Sequence, residues 1–168
     1  FVEYGLNCSM LSLDVTSDNI LNLLDELNMD VNFIGGAIAV PYKEVVAKWL
    51  DTNITLEAKN IGAVNCLYRN ENGELEGTNT DGEAALRSYE SEFGSVNGKT
   101  VMILGTGGAA KAVSVYFLTG VGERGKVIIV GRSGHGKDFA EYINADWVEW
   151  SKISDNLANV NLIINCTT

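Results

Sequence analysis

The run Gly105-Thr106-Gly107-Gly108-Ala109-Ala110 constrains this chain more than any other stretch, because of what stands on either side of it. Before it, Val101 to Leu104 is purely apolar; after it, Ala109 to Leu118 reads as a helix with Ala, Val and Phe on one side. A strand that turns sharply into a helix through Gly-x-Gly-x-x-Ala presents the free N–H groups of the first helical turn to an anion. Gly105 then permits the tight turn, Gly107 lets the backbone approach a pyrophosphate, and Ala110 is small enough for the helix to pack on the strand. An ordinary strand-to-helix turn made of small residues has the same letters. The flanking strand and helix are what favour a dinucleotide loop.

The surrounding pattern sets the fold class. Lys126 to Val130 is a second apolar strand and Leu162 to Ile164 a third. Apolar strands alternating with helices predict an α/β fold with a parallel sheet covered on both faces. The first half has a different texture. Cys8 to Leu13 reads as a short strand, and Ser17 precedes Ile20, Leu23, Leu24 and Leu27, whose spacing predicts a helix from about Asp18 to Asn28. Phe33 to Val40 reads as a strand, with Pro41 opening a helix that runs to Leu50. Thr55 is a candidate cap for a short turn before Gly62. Strands at Val64 to Tyr68 and Leu75 to Thr78 flank Asn72-Gly73, a hairpin signal because both residues tolerate positive φ. A helix is predicted over Glu83 to Phe93, and a boundary between the two textures falls near residues 82 to 98.

Composition narrows the partners. The 168 residues include 12 Lys+Arg and 22 Asp+Glu, a net charge of −10, which argues against nucleic acid or an anionic membrane as the main partner. Hydrophobic residues reach 46%, enough for a folded core, yet aliphatic runs such as Val127 to Val130 are far too short to cross a bilayer. His135 is the single histidine, so a His-based triad or zinc site is poorly supplied. Cys8, Cys66 and Cys166 are widely spaced and form no Cys-x-x-Cys pair. A disulfide framework or a structural metal is therefore not expected, and a cytoplasmic location is.

The end of the second apolar strand refines the ligand. It reads Val130-Gly131-Arg132-Ser133 with Lys137 close behind, and it carries no acid at the tip. A cofactor without a 2′-phosphate calls for an acid there, whereas the Arg132 guanidinium and the Lys137 ammonium suit a 2′-phosphate, so NADP is expected over NAD. A merely solvated basic surface would also place Arg132 and Lys137 here. His135 reads as a loop residue.

Chemistry in the first half centres on Lys43, Asn65 and Asp81. Oxidising a secondary alcohol needs a group to handle the hydroxyl proton and donors to orient the polyol, which Lys, Asp and Asn would supply. Taken singly, each has a plainer reading: a solvated helix residue, a turn residue and an N-cap. Taken together, several segments in order along the chain resemble the shikimate dehydrogenase family. Ala37-Ile38-Ala39-Val40-Pro41-Tyr42-Lys43 corresponds to its Asn-Val-Thr-x-Pro-x-Lys segment. Gly62-Ala63-Val64-Asn65-Cys66 corresponds to Gly-Ala-Val-Asn-Thr, and Gly77-Thr78-Asn79-Thr80-Asp81-Gly82 to Gly-x-Asn-Thr-Asp-Gly. Gly105 to Ala110, Gly131-Arg132-Ser133 and Ile163-Ile164-Asn165-Cys166-Thr167 resemble its glycine loop, its NADP segment and its Ile-Asn-Ala-Thr strand end.

That resemblance implies an NADP-dependent oxidoreductase interconverting shikimate and 3-dehydroshikimate, on the way to aromatic amino acids. It implies Lys43 and Asp81 as the catalytic pair, and Asn65 with both of them as substrate-binding residues. It assigns the cofactor to Gly105, Thr106, Gly107, Gly108, Ala109, Ala110, Arg132, Ser133 and Lys137, and no metal is expected. The expected partners are a small polyol acid and a second copy of the chain. The departures are Ala37 and Ala39, which stand for the family's Asn and Thr, and Cys66 and Gly131, which stand for Thr and Asn. They leave quinate or another cyclic polyol as an alternative substrate, and an inactive dinucleotide-binding module as an alternative role. A methylenetetrahydrofolate-dehydrogenase-like enzyme would not account for Asn79 to Gly82.

The family's Ser-x-Ser substrate segment would precede Phe1, and its substrate-binding Gln and returning helix would follow Thr168. The expected organisation is thus a substrate lobe over residues 1–82 without its start, a linking helix over 83–97, and a Rossmann domain over 98–168 without its end.

Overall fold

The computed structural model describes residues 1–167, which fall into two compact units, Phe1–Phe33 and the chain from Ile34 onward. The first unit contains helix α1, Ile20–Met29, which buries Ile20 and Leu24. It starts slightly later than the spacing predicts, behind Asn19, whose side chain makes no cap bond. Asp30 N–H closes its other end on the carbonyl of Glu26 at 3.1 Å. Residues 8–13 form no strand, contrary to the sequence expectation. An apolar stretch becomes a strand only where a neighbouring strand takes its backbone groups, and this stretch has no such ladder.

The second unit begins with a three-stranded antiparallel sheet: β1, Gly35–Ala37; β2, Cys66–Arg69; and β3, Leu75–Thr78, in that order. β1 is shorter than the predicted Phe33 to Val40 because its ladder covers only Gly35 opposite Tyr68 through Ala37 opposite Cys66. β2 and β3 form the expected antiparallel hairpin, with a turn that extends beyond Asn72-Gly73. Gly73 has φ of 79°, but its N–H donates to the carbonyl of Asn70, and Asn70 Oδ1 accepts from the N–H groups of Asn72 and Glu74. Asn70 therefore organises the turn, through the local side-chain-to-backbone bonding typical of Asn.

Helices α2, Lys43–Leu50, and α3, Leu56–Ile61, lie between β1 and β2 in sequence. Pro41 stands just before the N-cap Tyr42, after a cis Val40–Pro41 bond. Thr55 caps α3 as expected, its hydroxyl accepting from Ala58 N–H at 3.3 Å. Gly62 ends α3 in the left-handed conformation, where its N–H satisfies the carbonyls of Ala58 and Lys59. α4, Asp81–Phe93, follows β3.

The four-stranded sheet is parallel throughout: β4, Thr100–Leu104; β5, Lys126–Gly131; β6, Asp146–Glu149; and β7, Leu162–Asn165. Helices α5, Gly108–Val121; α6, Lys137–Tyr142; and α7, Ile153–Asn156, connect them. Alternate residues of β4 feed two cores, as side chains of a strand must. Val101 and Ile103 join Phe117, Val121, Val127 and Ile129, while Met102 joins Ile128 and Val130. Full burial of Phe117 alone stabilises by roughly 1.5–3 kcal/mol.

Two features of this unit position the site. The strand order is β6-β5-β4-β7, so the chain builds outward from β4 on one side and then returns to its other side. Such a reversal leaves a crevice beyond the C-terminal ends of the strands, the usual place for a ligand in open α/β sheets. The second is the close approach of α4 to α5. A Cβ on Gly82 would lie 2.2 Å from the carbonyl oxygen of Ala112, so only glycine admits this spacing.

Candidate active site

Lys43, Asn65 and Asp81 come together from three different elements. Lys43 opens α2, Asp81 opens α4 and Asn65 immediately precedes β2. The Lys43 Nζ lies 2.5 Å from Asp81 Oδ2, and Asn65 Nδ2 donates to Asp81 Oδ1 at 2.7 Å. Both oxygens of the carboxylate are therefore engaged. Its place in the first turn of α4 adds the favourable field of the helix N-terminus. Asn65 holds its other neighbour as well: Oδ1 accepts from Thr80 N–H at 3.0 Å and Nδ2 reaches Thr80 Oγ1 at 3.1 Å.

The backbone underneath is equally tied. Val64 N–H donates to the Lys43 carbonyl, Asn65 N–H to that of Thr78, and Ile38 N–H to that of Asn65. Asn79, only 2% exposed, donates from Nδ2 to the carbonyl of Ala63 and accepts from Asp81 N–H. This side chain fixes the start of α4, a positioning role that its motif position alone does not reveal. The side chains of Lys43 and Asp81 remain 15% and 30% exposed, so the pair is accessible yet partly withdrawn from water.

The glycine loop lies against the same lysine. A Cβ on Gly108 would stand 3.2 Å from Ala63 Cβ and 3.4 Å from Lys43 Cβ. Gly105 has φ of +118°, and a Cβ there would meet the carbonyl oxygen of Cys166 at 3.0 Å. A Cβ on Gly107 would have no atom within 4 Å. Ala110 is fully buried, as helix–strand packing requires. The loop, Lys43, Arg132, Trp150 and Cys166 line one cleft of about 570 Å³. Burial, and then the charge of Asp81, push the Cys166 thiol pKa upward.

A second ion pair joins two helices at the cleft, which Glu44 also lines. Lys111 Nζ lies 2.8 Å from Glu44 Oε1, linking α5 to α2 next to the catalytic candidates. Sequence reasoning missed it, although each residue is the immediate neighbour of a recognised motif.

The far end of the cleft holds Arg132, whose guanidinium lies 5.9 Å from the centre of the Trp150 ring. Ser133 follows at φ 53°, and its N–H donates to Glu149 Oε1 at 2.9 Å. Lys137 is less central than Arg132: its ammonium lies 3.9 Å from Glu141 within α6, and it lines neither this cleft nor the neighbouring one at Ser133. His135 lines the cleft and accepts through its carbonyl from Trp147 Nε1 at 3.1 Å. Among the described residues no group of three or more His, Cys, Asp or Glu could hold a metal ion, and no helix is long and apolar enough to cross a membrane.

Known proteins resemble this chain in sequence and in fold. Residues 1–67 match the family model described as the shikimate dehydrogenase substrate binding domain. The chain is 33% identical to the shikimate dehydrogenase (NADP(+)) of Methanocaldococcus jannaschii, over 99% of this chain and 60% of that protein. It superposes on shikimate dehydrogenase from Aquifex aeolicus with a TM-score of 0.86 and 29% identity, over 99% of this chain and 60% of that one. It superposes on the Thermus thermophilus shikimate 5-dehydrogenase, solved in complex with NADP(H) and shikimate, with a TM-score of 0.80 and 28% identity. That match covers 99% of this chain and 59% of the other. The chain spans about three fifths of the length of the curated relatives it matches.

Proposed function

The chain belongs to the shikimate dehydrogenase family, and from that premise we propose that the protein carrying it is an NADP-dependent oxidoreductase that interconverts shikimate and 3-dehydroshikimate. The observation that carries this reading is the Lys43–Asp81 ion pair, whose lysine lines the same cleft as the glycine loop. The loop fits a dinucleotide. Gly107 leaves open space where a side chain would stand, Gly105 takes a conformation that favours glycine, and the first turn of α5 offers N–H groups with no acceptor inside the helix. When bound, the nicotinamide supplies the hydride acceptor or donor.

The chain's own residues handle the proton and the orientation. In the reducing direction the Lys43 ammonium gives a proton to the substrate oxygen as the carbonyl becomes a hydroxyl. In the oxidising direction its neutral amine takes that proton back. Asp81 orients the lysine and, through its exposed edge, a neighbouring substrate hydroxyl. Asn65 fixes Asp81 by its bond to Oδ1 and completes the polar wall toward the substrate. General acid–base help of this kind contributes about 10²–10⁴-fold in rate. Ala37 and Ala39 are exposed and carry no hydroxyl, so they offer the polyol no side-chain hydrogen bond.

The same reading assigns residues 1–82 to the substrate lobe, 83–97 to a linking helix and 98–168 to the dinucleotide domain. It gives Gly105 to Ala110, Arg132, Ser133 and Lys137 to the cofactor. Supporting it, the first sheet ends at Thr78 and the parallel sheet begins at Thr100, with α4 between them. A homodimer in the cytoplasm belongs to this reading too, and sedimentation velocity tests the dimer. The test of function is reduction of NADP⁺ by the full-length protein with shikimate and with quinate in parallel. Turnover with shikimate supports the proposal, turnover with quinate alone reassigns the substrate, and turnover with neither overturns the activity.

A further inference from the structure

An acid stands at the end of β5 although the sequence of β5 offers none. β5 runs into Arg132 and Ser133, and β6 lies beside it in parallel register with Gly131 opposite Glu149. Alternate residues of a strand share a face, and both Trp147 and Glu149 reach the loop that follows β5. Trp147 Nε1 donates to the carbonyl of His135, and Ser133 N–H donates to Glu149 Oε1 at 2.9 Å. Ser133 sits at φ 53°, a left-handed conformation that a non-glycine residue keeps only when its surroundings hold it. The bond to Glu149 is one such restraint.

This edge of a doubly wound sheet is where the adenosine ribose of a dinucleotide is read. A carboxylate suits a free 2′-hydroxyl, and a guanidinium suits a 2′-phosphate. Both signs of charge are present here. The Arg132 guanidinium lies over Trp150, and Glu149 immediately precedes that tryptophan in the chain. The backbone N–H beside Arg132 is a donor that a phosphate oxygen would take, and it is already given to a carboxylate.

We infer that Glu149 sets the cofactor preference of this chain by holding a negative charge on the N–H of Ser133, the residue that follows Arg132, which narrows the advantage of a 2′-phosphorylated nucleotide over its unphosphorylated counterpart. The inference rests on the dinucleotide reading of the cleft. A phosphate monoester carries about two negative charges near neutral pH and is repelled by the carboxylate. A ribose hydroxyl carries none and is not repelled. The effect of Glu149 therefore falls on one nucleotide and spares the other.

The experiment is calorimetric titration of the full-length protein with adenosine 2′,5′-bisphosphate and with 5′-AMP, neither of which needs a reacting substrate. Glu149→Gln keeps an oxygen for Ser133 N–H and removes the charge. It should shift the ratio of the two Kd values toward the bisphosphate by on the order of tenfold, with AMP affinity little changed. Glu149→Asp keeps the charge and should leave the ratio near the wild-type value. If both nucleotides bind and the ratio is the same in Glu149→Gln, the role of Glu149 is overturned while the dinucleotide reading stands. An equal shift in Glu149→Asp would also overturn it, because the hydrogen bond rather than the charge would then be responsible. If neither nucleotide binds the wild type, the dinucleotide reading falls and the inference falls with it.

Discussion

Lys43 and Asp81 are 38 residues apart in sequence and meet as an ion pair with 2.5 Å between Nζ and Oδ2. Each sits in the first turn of its own helix, α2 or α4. The pair is held from two further sides, by Asn65 on the other carboxylate oxygen and by Asn79 on the Asp81 N–H. A carboxylate restrained in this way fixes where the ammonium points, which is what proton transfer to a substrate oxygen requires.

Asn65 is the clearest probe of that restraint. Asn65→Asp puts a second carboxylate where an amide donates to Asp81 at 2.7 Å. Like charges at that distance repel, whereas Asn65→Ala only removes a bond. Steady-state kinetics with shikimate should therefore show a larger loss of kcat/KM for Asn65→Asp than for Asn65→Ala. Equal losses would mean that Asn65 does not act through Asp81.

Asn79 acts beneath the site rather than in it. Its buried amide satisfies the Ala63 carbonyl and the Asp81 N–H. Asn79→Ala leaves buried polar groups unpaired, at a cost of about 1–3 kcal/mol. Urea denaturation of the variant should show a lower midpoint with an unchanged slope.

Two glycines should separate stability from binding. Gly82→Ala drives a Cβ toward the backbone oxygen of Ala112, and overpacking of this kind destabilises by about 1–3 kcal/mol or more. Gly107→Ala meets nothing within 4 Å and should stay within about 0.5 kcal/mol of wild type. Its methyl group instead stands on the loop proposed to receive the nucleotide's phosphates. Denaturation curves paired with calorimetric NADP⁺ titration should show the first variant failing mainly in stability and the second mainly in affinity.

The Cys166 thiol links the cleft to Asp81. Burial is the larger cause of its raised pKa and the charge of Asp81 the smaller. Alkylation by iodoacetamide needs the thiolate, so modification of Cys166, read by mass spectrometry, should reach half its maximal rate above the ordinary thiol range. Asp81→Asn should lower that pH without restoring the ordinary value. The stability sign follows: the folded state holds the proton more tightly than the unfolded state. This contribution is therefore full below the unfolded thiol pKa and is lost as pH rises through the folded one.

The β4–loop–α5 unit was legible because strand, glycines and helix are local and adjacent, and the structure begins and ends these elements within a few residues of expectation. The segment at residues 8–13 was not, because apolar composition does not reveal whether a partner strand exists. The turn after β2 belongs to Asn70 rather than Asn72, since the side chain that bridges two N–H groups outweighs the dipeptide signal. The Lys43–Asp81 pair was visible only through several motifs taken together, because no spacing rule joins residues on two helices. Glu149 was invisible for a related reason. Its register against Gly131 is fixed by the packing of β6 on β5, not by the letters of β5.

We propose that Lys43, oriented by Asp81, moves the proton in NADP-dependent oxidation of shikimate. The most direct measurement is the rate of NADP⁺ reduction with saturating shikimate in the full-length wild-type protein and in Lys43→Ala. The wild type should turn over and the variant should lose about 10²–10⁴-fold in kcat, with NADP⁺ affinity by calorimetry little changed. A Lys43→Ala protein that turns over at the wild-type rate would contradict it.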